Sequence, residues 1–431
     1  MDIKVYPGSL KGEVKAPPSK SMAHRALICA ALSDGTSHII GVSNSKDMDA
    51  TIGCMTALGA VMHRMENGDT VSIGIPMVRG VACSSCAGCG SGGGCGTPAA
   101  DAPIPVLDCI ESGSTLRFVL PIAAALGTEC QFIGSGKLPE RPMTPLADEM
   151  KKHGIEFSPD GRDSLPFTIK GQLTPGVFEI PGNISSQYIS GLIFALPMLN
   201  GDSEIRIIGE LESASYVELT LEMVKQFGIT VEKTDWGFKI PGGQKYKGGE
   251  IEVEGDYSNA AFWMAAGALG SSIKLTGIRE DSAQGDKAAA DILAGGMVNY
   301  TEIDCRDIPD IVPIISVAAT YSRDVIRFYN AGRLRIKESD RLAAMADNLT
   351  KLGAKVEEKE DELIVYPSDL KGGCTVSGYN DHRIVMSMAM AALVCKEPII
   401  ITDAEAVAKS YPDFFDEFRR LGGRADVITD R

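Results

Sequence analysis

The sequence predicts an α/β (α+β) protein built from six copies of one unit, arranged as two pseudo-threefold domains of three units each. Three observations carry this prediction. Six amphipathic helices each stop at a glycine, six helices that are apolar on nearly every side precede them, and short β-branched runs lie between the helices. A unit contains two helices and about four short strands, and three such units have the size of an ordinary domain.

The amphipathic helices are recognised by apolar residues at helical spacing and by a glycine at the end. The first copy reads ATIGCMTALG and the last reads FFDEFRRLGG. Glycine suits a helix end because it adopts the left-handed backbone without a steric penalty. The predicted stop residues are Gly59, Gly154, Gly228, Gly296, Gly353 and Gly422.

The apolar helices open with polar residues that can cap a helix and should be buried. They read SKSMAHRALICAAL, SGSTLRFVLPIAAAL, SSQYISGLIFAL, YSNAAFWMAAGAL, PDIVPIISVAA and NDHRIVMSMAMAAL. The segments SHIIGV, CQFIG, EIRIIG, SIKLTG, DVIRFYN and PIIITDA are predicted strands, since β-branched residues favour pleated structure.

Two crossings between the domains are expected, at the prolines near residue 17 and in the Gly-rich PGGQKYKGG segment. The predicted inner domain is 18–242. The predicted outer domain is discontinuous and comprises 1–17 plus 243–431.

Composition excludes several classes of function. A net charge of −15 opposes binding to nucleic acid or to an anionic membrane. No apolar run reaches the roughly 18 residues of a membrane span, and no signal peptide opens the chain, so we expect a cytoplasmic protein. No Walker loop, dinucleotide fingerprint, zinc-hydrolase or serine-hydrolase motif is present.

Candidate anion-binding residues lie at the starts of the apolar helices, where free N–H groups and the helix dipole favour negative charge. The first set is Lys20, Ser21 and Arg25, the second surrounds Gly113 in ESGST, and the third is Ser185, Ser186 and Gln187. A solvated helix start or an ordinary N-cap explains each of these motifs when taken alone.

A further set of charged and polar residues precedes the amphipathic helices, and its basic members recur at equivalent places in several repeats of an acidic protein. A solvated charge run is the usual interpretation of such a string, and a cap or a structural hydrogen bond is usual for a lone Asp or His. These candidates are Arg141, Ser213, Tyr216, Lys337, Glu338, Arg341 and Lys409, together with Asp310, His382 and Arg383.

Eight ordered motifs then resemble one family over nearly the whole chain. PPSKSMAHRALICAAL, ESGSTLRF, LPERPMTPL, ISSQY, IPD, RLRIKESDR, YNDHRIVMSMAM and VAKSYPDFF resemble the 5-enolpyruvylshikimate-3-phosphate synthase family. The resemblance implies transfer of the enolpyruvyl group of phosphoenolpyruvate to the 5-hydroxyl of shikimate 3-phosphate, with release of phosphate. It also implies the enolpyruvyl transferase fold, two inverse α/β domains of three ββαβαβ-type units, and no cofactor or metal. We expect a monomer.

The resemblance also implies roles for individual residues. Asp310 and Glu338 would be the proton-transfer pair, with Lys20 and His382 beside them. The residues implied for shikimate 3-phosphate are Lys20, Ser21, Arg25, Ser185, Ser186, Gln187, Ser213, Tyr216, Asp310 and Lys337. Those implied for phosphoenolpyruvate are Lys20, Gly113, Arg141, Gln187, Arg341, Arg383 and Lys409.

Two features depart from the family pattern. Arg333 stands where some members have Asn, which leaves that substrate contact open. In addition, the segment 79–105 is a Cys- and Gly-rich insertion with Cys83, Cys86, Cys89 and Cys95. The CxxCxxC spacing of the first three cysteines is compatible with zinc or an iron–sulfur cluster, but the spacing to the fourth cysteine fits neither pattern. A surface loop with free thiols is therefore the preferred interpretation.

Two rival functions remain at this stage. The UDP-N-acetylglucosamine enolpyruvyl transferases share the fold and the donor, but they generally carry a Cys in the loop that reads IGSGKLPERPMTPL here. A non-catalytic anion-binding protein of the same fold would have no need for both Asp310 and Glu338.

Overall fold

The computed structural model describes residues 1–66, 68–74, 103–159, 164–297 and 299–429. The cysteines of the insertion, Cys83, Cys86, Cys89 and Cys95, lie outside these residues.

Twelve α-helices occur in the described part of the chain. They are α1 (Lys20–Ala31), α2 (Lys46–Ala57), α3 (Gly113–Ala125), α4 (Thr144–Lys152), α5 (Ser186–Ala195), α6 (Ala214–Gln226), α7 (Tyr257–Ala268), α8 (Ala288–Leu293), α9 (Val312–Ala319), α10 (Arg341–Lys351), α11 (His382–Ala392) and α12 (Phe414–Arg420). The odd-numbered helices are the predicted apolar ones and the even-numbered helices are the predicted amphipathic ones.

The strands of the same residues are short. They are β1 (Asp2–Val5), β2 (Lys11–Lys15), β3 (Ser37–Ile40), β4 (Met62–Arg64), β5 (Thr70–Ile73), β6 (Val106–Asp108), β7 (Cys130–Ile133), β8 (Ile155–Ser158), β9 (Phe167–Gly171), β10 (Val177–Pro181), β11 (Ser203–Ile208), β12 (Glu232–Thr234), β13 (Gly237–Ile240), β14 (Glu250–Glu252), β15 (Ser272–Thr276), β16 (Glu302–Asp304), β17 (Ile326–Tyr329), β18 (Val356–Glu358), β19 (Leu363–Val365), β20 (Thr375–Val376), β21 (Ile399–Ile401) and β22 (Ala425–Thr429).

Five units share one sheet topology. In the order β6-β7-β9-β8, the first two strands are parallel and the remaining neighbours are antiparallel. The sheets β14-β3-β5-β4, β10-β11-β13-β12, β16-β17-β19-β18 and β20-β21-β1-β22 repeat it. The unit from β6 to β9 is therefore βαβαββ in chain order, which is the predicted ββαβαβ unit counted from its second strand. In two of the other sheets one strand, β14 or β1, comes from a distant part of the chain.

The fourth unit differs from the prediction of about four strands. Its sheet contains only β2 and β15, which pair in parallel, and α8 is followed by a strand of the next unit. The predicted stop at Gly296 is also wrong by one residue, since α8 ends at Leu293 and Gly295 adopts the left-handed backbone (φ 67°). The other five predicted stop glycines have φ between 81° and 108°.

The helices and sheets enclose two separate hydrophobic cores. One contains residues between Met22 and Val253, and the other contains residues 3–14 together with residues after 260. Because β14 pairs with β3 and Tyr246 packs in the first core, we propose that the second crossing follows residue 253 rather than residue 242. The names inner and outer domain are kept with this boundary.

Candidate active site

A cleft of about 890 Å³ of empty space, open to solvent, lies between the two domains. It brings together most of the residues singled out in the sequence. Those that line it are Lys20, Ser21, Arg25, Gly113, Arg141, Ser185, Ser186, Gln187, Ser213, Tyr216, Asp310, Arg333, Lys337 and Glu338. Arg341, His382, Arg383 and Lys409 do not line this cleft directly, and they approach it from the outer domain.

The inner domain supplies the first turns of its three apolar helices to the cleft. Each helix is capped by a serine, because Ser19, Ser112 and Ser185 accept hydrogen bonds from Met22 N, Thr115 N and Gln187 N. The capping interpretation is therefore correct for Ser185. It does not compete with the binding interpretation, since Ser185 also lines the cleft.

A close approach of α3 and α5 positions the polar residues around Gly113. A Cβ atom at Gly191 would lie 2.2 Å from Arg117 O, so glycine is what lets the helices touch. Gln187 then donates to Ser114 Oγ at 2.9 Å and accepts from Arg117 Nη1 at 3.0 Å. These hydrogen bonds hold the amide of Gln187 against the Gly113 turn.

Lys20 is held by two carboxylates, one from each domain. Its ammonium group lies 2.9 Å from Asp47 Oδ2, and its backbone N–H donates to Asp256 Oδ2 at 3.0 Å. Asp47 lines the cleft but belongs to no motif that the sequence analysis recognised. A lone Asp in the first turn of a helix is ordinary, so the sequence offered no signal for it.

Arg341 joins three carboxylates of the outer domain beside the cleft. Its buried guanidinium donates from Nε to Asp381 Oδ2, from Nη1 to Asp310 Oδ1 and from Nη2 to Glu338 Oε2, each at 2.8 Å. One side chain thus fixes the two predicted proton-transfer carboxylates relative to each other. Asp381 was missed in the sequence, where it reads as the cap of α11, a role it also has through Arg383 N.

The surrounding cations keep both carboxylates ionised. Burial opposes ionisation of Asp310, but Lys337, Arg341 and Arg383 outweigh it and hold its pKa well below the usual range. For Glu338, burial is likewise outweighed, chiefly by Arg341 and Arg141, so its pKa is also lowered. Arg141 comes from the inner domain and lies 3.8 Å from Glu338 Oε1.

Lys337 lies just after the 3-10 helix Gly332–Ile336 and faces Asp310, with 3.7 Å between Nζ and Oδ1. Burial, helped by the charges of Arg341 and Arg333, lowers the pKa of Lys337 to about 8 despite the nearby Asp310 carboxylate. An incoming anion would therefore stabilise the charged form of Lys337.

His382 and Arg383 open α11. Burial, with the charges of Lys20 and Arg383, lowers the pKa of His382, so this imidazole is neutral near pH 7. Neither of its ring nitrogens has a hydrogen-bond partner among the described residues. Arg383 donates to Ser258 Oγ at 2.5 Å and lies 3.7 Å from Asp310 Oδ2.

Lys409 lies at the end of the 3-10 helix Ala404–Lys409 and reaches the inner domain. Its ammonium group donates to Glu111 Oε2 at 2.7 Å and also to Asn380 O. Since Glu111 is two residues from Gly113, this contact places Lys409 near the predicted phosphoenolpyruvate residues.

A second buried carboxyl group, Asp286, meets the site through Tyr216. The hydroxyl oxygen of Tyr216 lies 2.9 Å from Asp286 Oδ2 and 3.3 Å from Asp310 Oδ2. Burial, reinforced by the charge of Asp310, raises the pKa of Asp286 to about 7. Asp286 lies in the irregular fourth unit, and no motif marked it in the sequence.

Two further properties concern metals and membranes. Within the described ranges, no three or more His, Cys, Asp and Glu side chains are grouped so that they could hold a metal ion. None of the described helices combines the length and the apolar character that crossing a membrane requires.

Comparison with solved structures identifies the fold. EPSP synthase from Acinetobacter baumannii superposes with a TM-score of 0.79 at 24% identity, over 99% of this chain and 100% of that chain. The enolpyruvyl transferase NikO from Streptomyces tendae gives a TM-score of 0.76 at 16% identity, over 100% of this chain and 99% of that chain. The two-domain fold is that of the enolpyruvyl transferases.

Sequence comparison is more specific. The family model of EPSP synthase (3-phosphoshikimate 1-carboxyvinyltransferase) matches residues 5–418. A 3-phosphoshikimate 1-carboxyvinyltransferase from Clostridium beijerinckii is 44% identical, over 99% of this chain and 98% of the relative. One from Clostridioides difficile is 43% identical, over 98% of both. The chain belongs to the EPSP synthase family.

Proposed function

We propose that this protein transfers the enolpyruvyl group of phosphoenolpyruvate to the 5-hydroxyl of shikimate 3-phosphate and releases phosphate. The observation that carries the proposal is the pair of carboxylates on one guanidinium, since Arg341 binds Asp310 and Glu338 with two different nitrogens. Two such groups, 2.8 Å from the same cation and beside a cation-lined cleft, suit a reaction that needs two separate proton transfers.

The charge of the site suits two polyanionic substrates. The inner domain contributes Lys20, Arg25 and Arg141, and the outer domain contributes Lys337, with Arg341 and Arg383 behind it. Phosphate and carboxylate groups are strongly bound by such cations and by helix N-termini. Lys409 would complete the phosphoenolpyruvate side, and Ser21, Ser185, Ser186, Gln187, Ser213 and Tyr216 the shikimate 3-phosphate side.

In the addition step, Asp310 takes the proton of the 5-hydroxyl of shikimate 3-phosphate. The oxygen of that hydroxyl forms a bond to C2 of phosphoenolpyruvate. Glu338 delivers a proton to C3, so the product of this step is a tetrahedral adduct. Glu338 must therefore be protonated first. The substrate anions favour this, because they offset the positive charge of Arg341 and Arg141 that lowers its pKa.

In the elimination step, C3 returns a proton to Glu338, the electron pair of that C–H bond forms the double bond between C2 and C3, and the bond between C2 and the phosphate oxygen breaks. Phosphate leaves with the electron pair, and the proton held on Asp310 is available to it. Lys20 and the neutral His382 lie beside Glu338. The Lys20 ammonium offsets the negative charge that develops in this step, and the His382 imidazole can donate a hydrogen bond to it. The step needs no redox partner.

The test is phosphate release from the purified protein mixed with phosphoenolpyruvate and an acceptor. We expect one phosphate per product with shikimate 3-phosphate and none with either substrate alone. Phosphate release with UDP-N-acetylglucosamine, and not with shikimate 3-phosphate, would identify the other transferase reaction. Binding of both anions without phosphate release would indicate a non-catalytic protein.

A further inference from the structure

Arg333 reaches from the outer domain into the part of the cleft formed by the inner domain. It lies in the 3-10 helix Gly332–Ile336, and its side chain is 14% exposed. Its Nη1 donates to Ser213 Oγ at 2.9 Å and lies 3.5 Å from Glu212 Oε2. Among the described residues, only this one nitrogen of the guanidinium makes a hydrogen bond or ion pair.

The serine that Arg333 contacts is held rigidly. Ser213 adopts a left-handed backbone (φ 55°) just before α6, and its hydroxyl donates to Arg306 O at 3.1 Å. The next backbone N–H, that of Ala214, donates to Asp307 Oδ1 at 3.0 Å. The outer domain thus fixes the Ser213 hydroxyl, which lines the same cleft as Ser185 and Ser186.

The other cations on this side of the cleft are already engaged. Arg25 donates to Ser21 O, Tyr216 O and Thr220 Oγ1 at 2.6 to 2.8 Å. Lys337 faces Asp310. A phosphate group placed at the serines would therefore meet Arg333 as the guanidinium with most donors to spare, in the forked geometry that phosphate favours.

We propose that Arg333 binds the phosphate group of shikimate 3-phosphate, from the opposite domain to the serines. This inference rests on the proposed function. Glu212 is the counterion that the phosphate replaces. It is a weak partner for Arg333, because 3.5 Å is beyond good hydrogen-bond distance and its carboxylate is partly exposed. Arg333 is thus part of the proposed acceptor site, at a position where some family members have Asn.

The test compares the affinities of shikimate 3-phosphate and shikimate, which differ only in the phosphate group, by titration calorimetry. For Arg333→Met we expect shikimate 3-phosphate to bind about ten- to a hundredfold more weakly, the usual range for loss of a charge-assisted hydrogen bond. Shikimate should bind within about twofold of the wild type. The KM for shikimate 3-phosphate should rise by the same factor, while the KM for phosphoenolpyruvate stays nearly constant.

Two control variants separate binding from structure. Arg335→Met alters the neighbouring arginine, which bonds Asp340 and Glu358 instead of the cleft, and should leave both affinities unchanged. Glu212→Gln removes the counterion and should not weaken shikimate 3-phosphate binding. If Arg333→Met does not fold, Arg333→Gln carries the same expectations.

Three results would overturn the inference: unchanged affinity for shikimate 3-phosphate in the Arg333 variant, equal weakening of both ligands, or an equal loss in Glu212→Gln. Absence of phosphate release by the wild-type protein would instead refute the proposed function. The two failures are therefore distinguishable.

Discussion

Glu111 of the inner domain and Lys409 of the outer domain form an ion pair between the two domains, with 2.7 Å between Oε2 and Nζ. Asn380 adds a second contact, since its Nδ2 donates to the same carboxylate oxygen at 3.1 Å. The Lys409 side chain is 6% exposed and the Glu111 side chain is 22% exposed, so the pair is partly shielded from solvent. The two domains are therefore joined beside Gly113, where phosphoenolpyruvate is proposed to bind.

This pair makes domain closure sensitive to one charge. For Glu111→Gln we expect a larger radius of gyration without ligands, because the cations of the two domains then repel each other with less compensation. Both substrates together should restore a compact protein. Small-angle scattering measures both states.

Glu129→Gln is the matched control, since Glu129 pairs with Lys170 on the surface of the inner domain alone. It should scatter like the wild type. A Glu111→Gln protein as compact as the wild type without ligands would show that the pair does not govern closure.

A side chain at Gly113 should weaken the binding of phosphoenolpyruvate. An added Cβ would lie 2.5 Å from Arg117 Nη1 and from Arg141 Nη1, and Arg117 cannot move freely because Gln187 and Pro142 hold it. We expect Gly113→Ala to raise the KM for phosphoenolpyruvate by about tenfold or more, the cost of displacing one charge-assisted contact. Steady-state kinetics checks this.

Gly53→Ala serves as the control, because that helical position has no atom within 4 Å of an added Cβ. Its KM values should match the wild type. An unchanged KM for phosphoenolpyruvate in Gly113→Ala would place the donor elsewhere.

Asp286 should make the protein less stable at alkaline than at acidic pH. Burial raises its pKa to about 7, above the value of about 3.9 that an unfolded Asp has. Between these values the folded state binds more protons than the unfolded state, so the contribution of Asp286 to stability falls as pH rises.

Asp286→Asn removes that dependence. Relative to the wild type, we expect it to gain up to a few kcal/mol in the free energy of unfolding at pH 8, and little at pH 4, since one pKa unit corresponds to about 1.4 kcal/mol. Urea unfolding at both pH values measures the difference. A stability difference that is the same at pH 4 and pH 8 would contradict the assignment.

The repeat was predictable from sequence because the physics of each helix is local. A glycine stop, a polar cap and an apolar stretch are all local signals, and the sequence predicted each of the twelve helices that the described residues form. The two-stranded sheet of the fourth unit was not predictable, because strand pairing is not a local property. In that unit β15 pairs with β2, which lies near the start of the chain. Nothing in ADILAGGMVNY signals that pairing.

The candidate site shows the same division. Residues in dense motifs, such as Lys337 and Glu338, were marked by composition, and the family resemblance assigned their roles. Asp47, Asp286 and Asp381 were missed because each is a single carboxylate whose partner comes from a distant segment. The monomeric state, the cytoplasmic location and the free thiols of the insertion stay predictions.

The most direct test of the account is solvent deuterium exchange into the methylene group of the enolpyruvyl unit. Exchange requires C3 to be protonated and deprotonated, the step assigned to Glu338. During turnover in D₂O we expect the wild type to incorporate deuterium and Glu338→Gln to incorporate none. The turnover rate of Glu338→Gln should also fall by a factor of about 10² to 10⁴, the usual contribution of a general acid or base. Asp310→Asn should lose a similar factor in rate, through the attack of the hydroxyl. Exchange at the wild-type rate in Glu338→Gln would contradict the account.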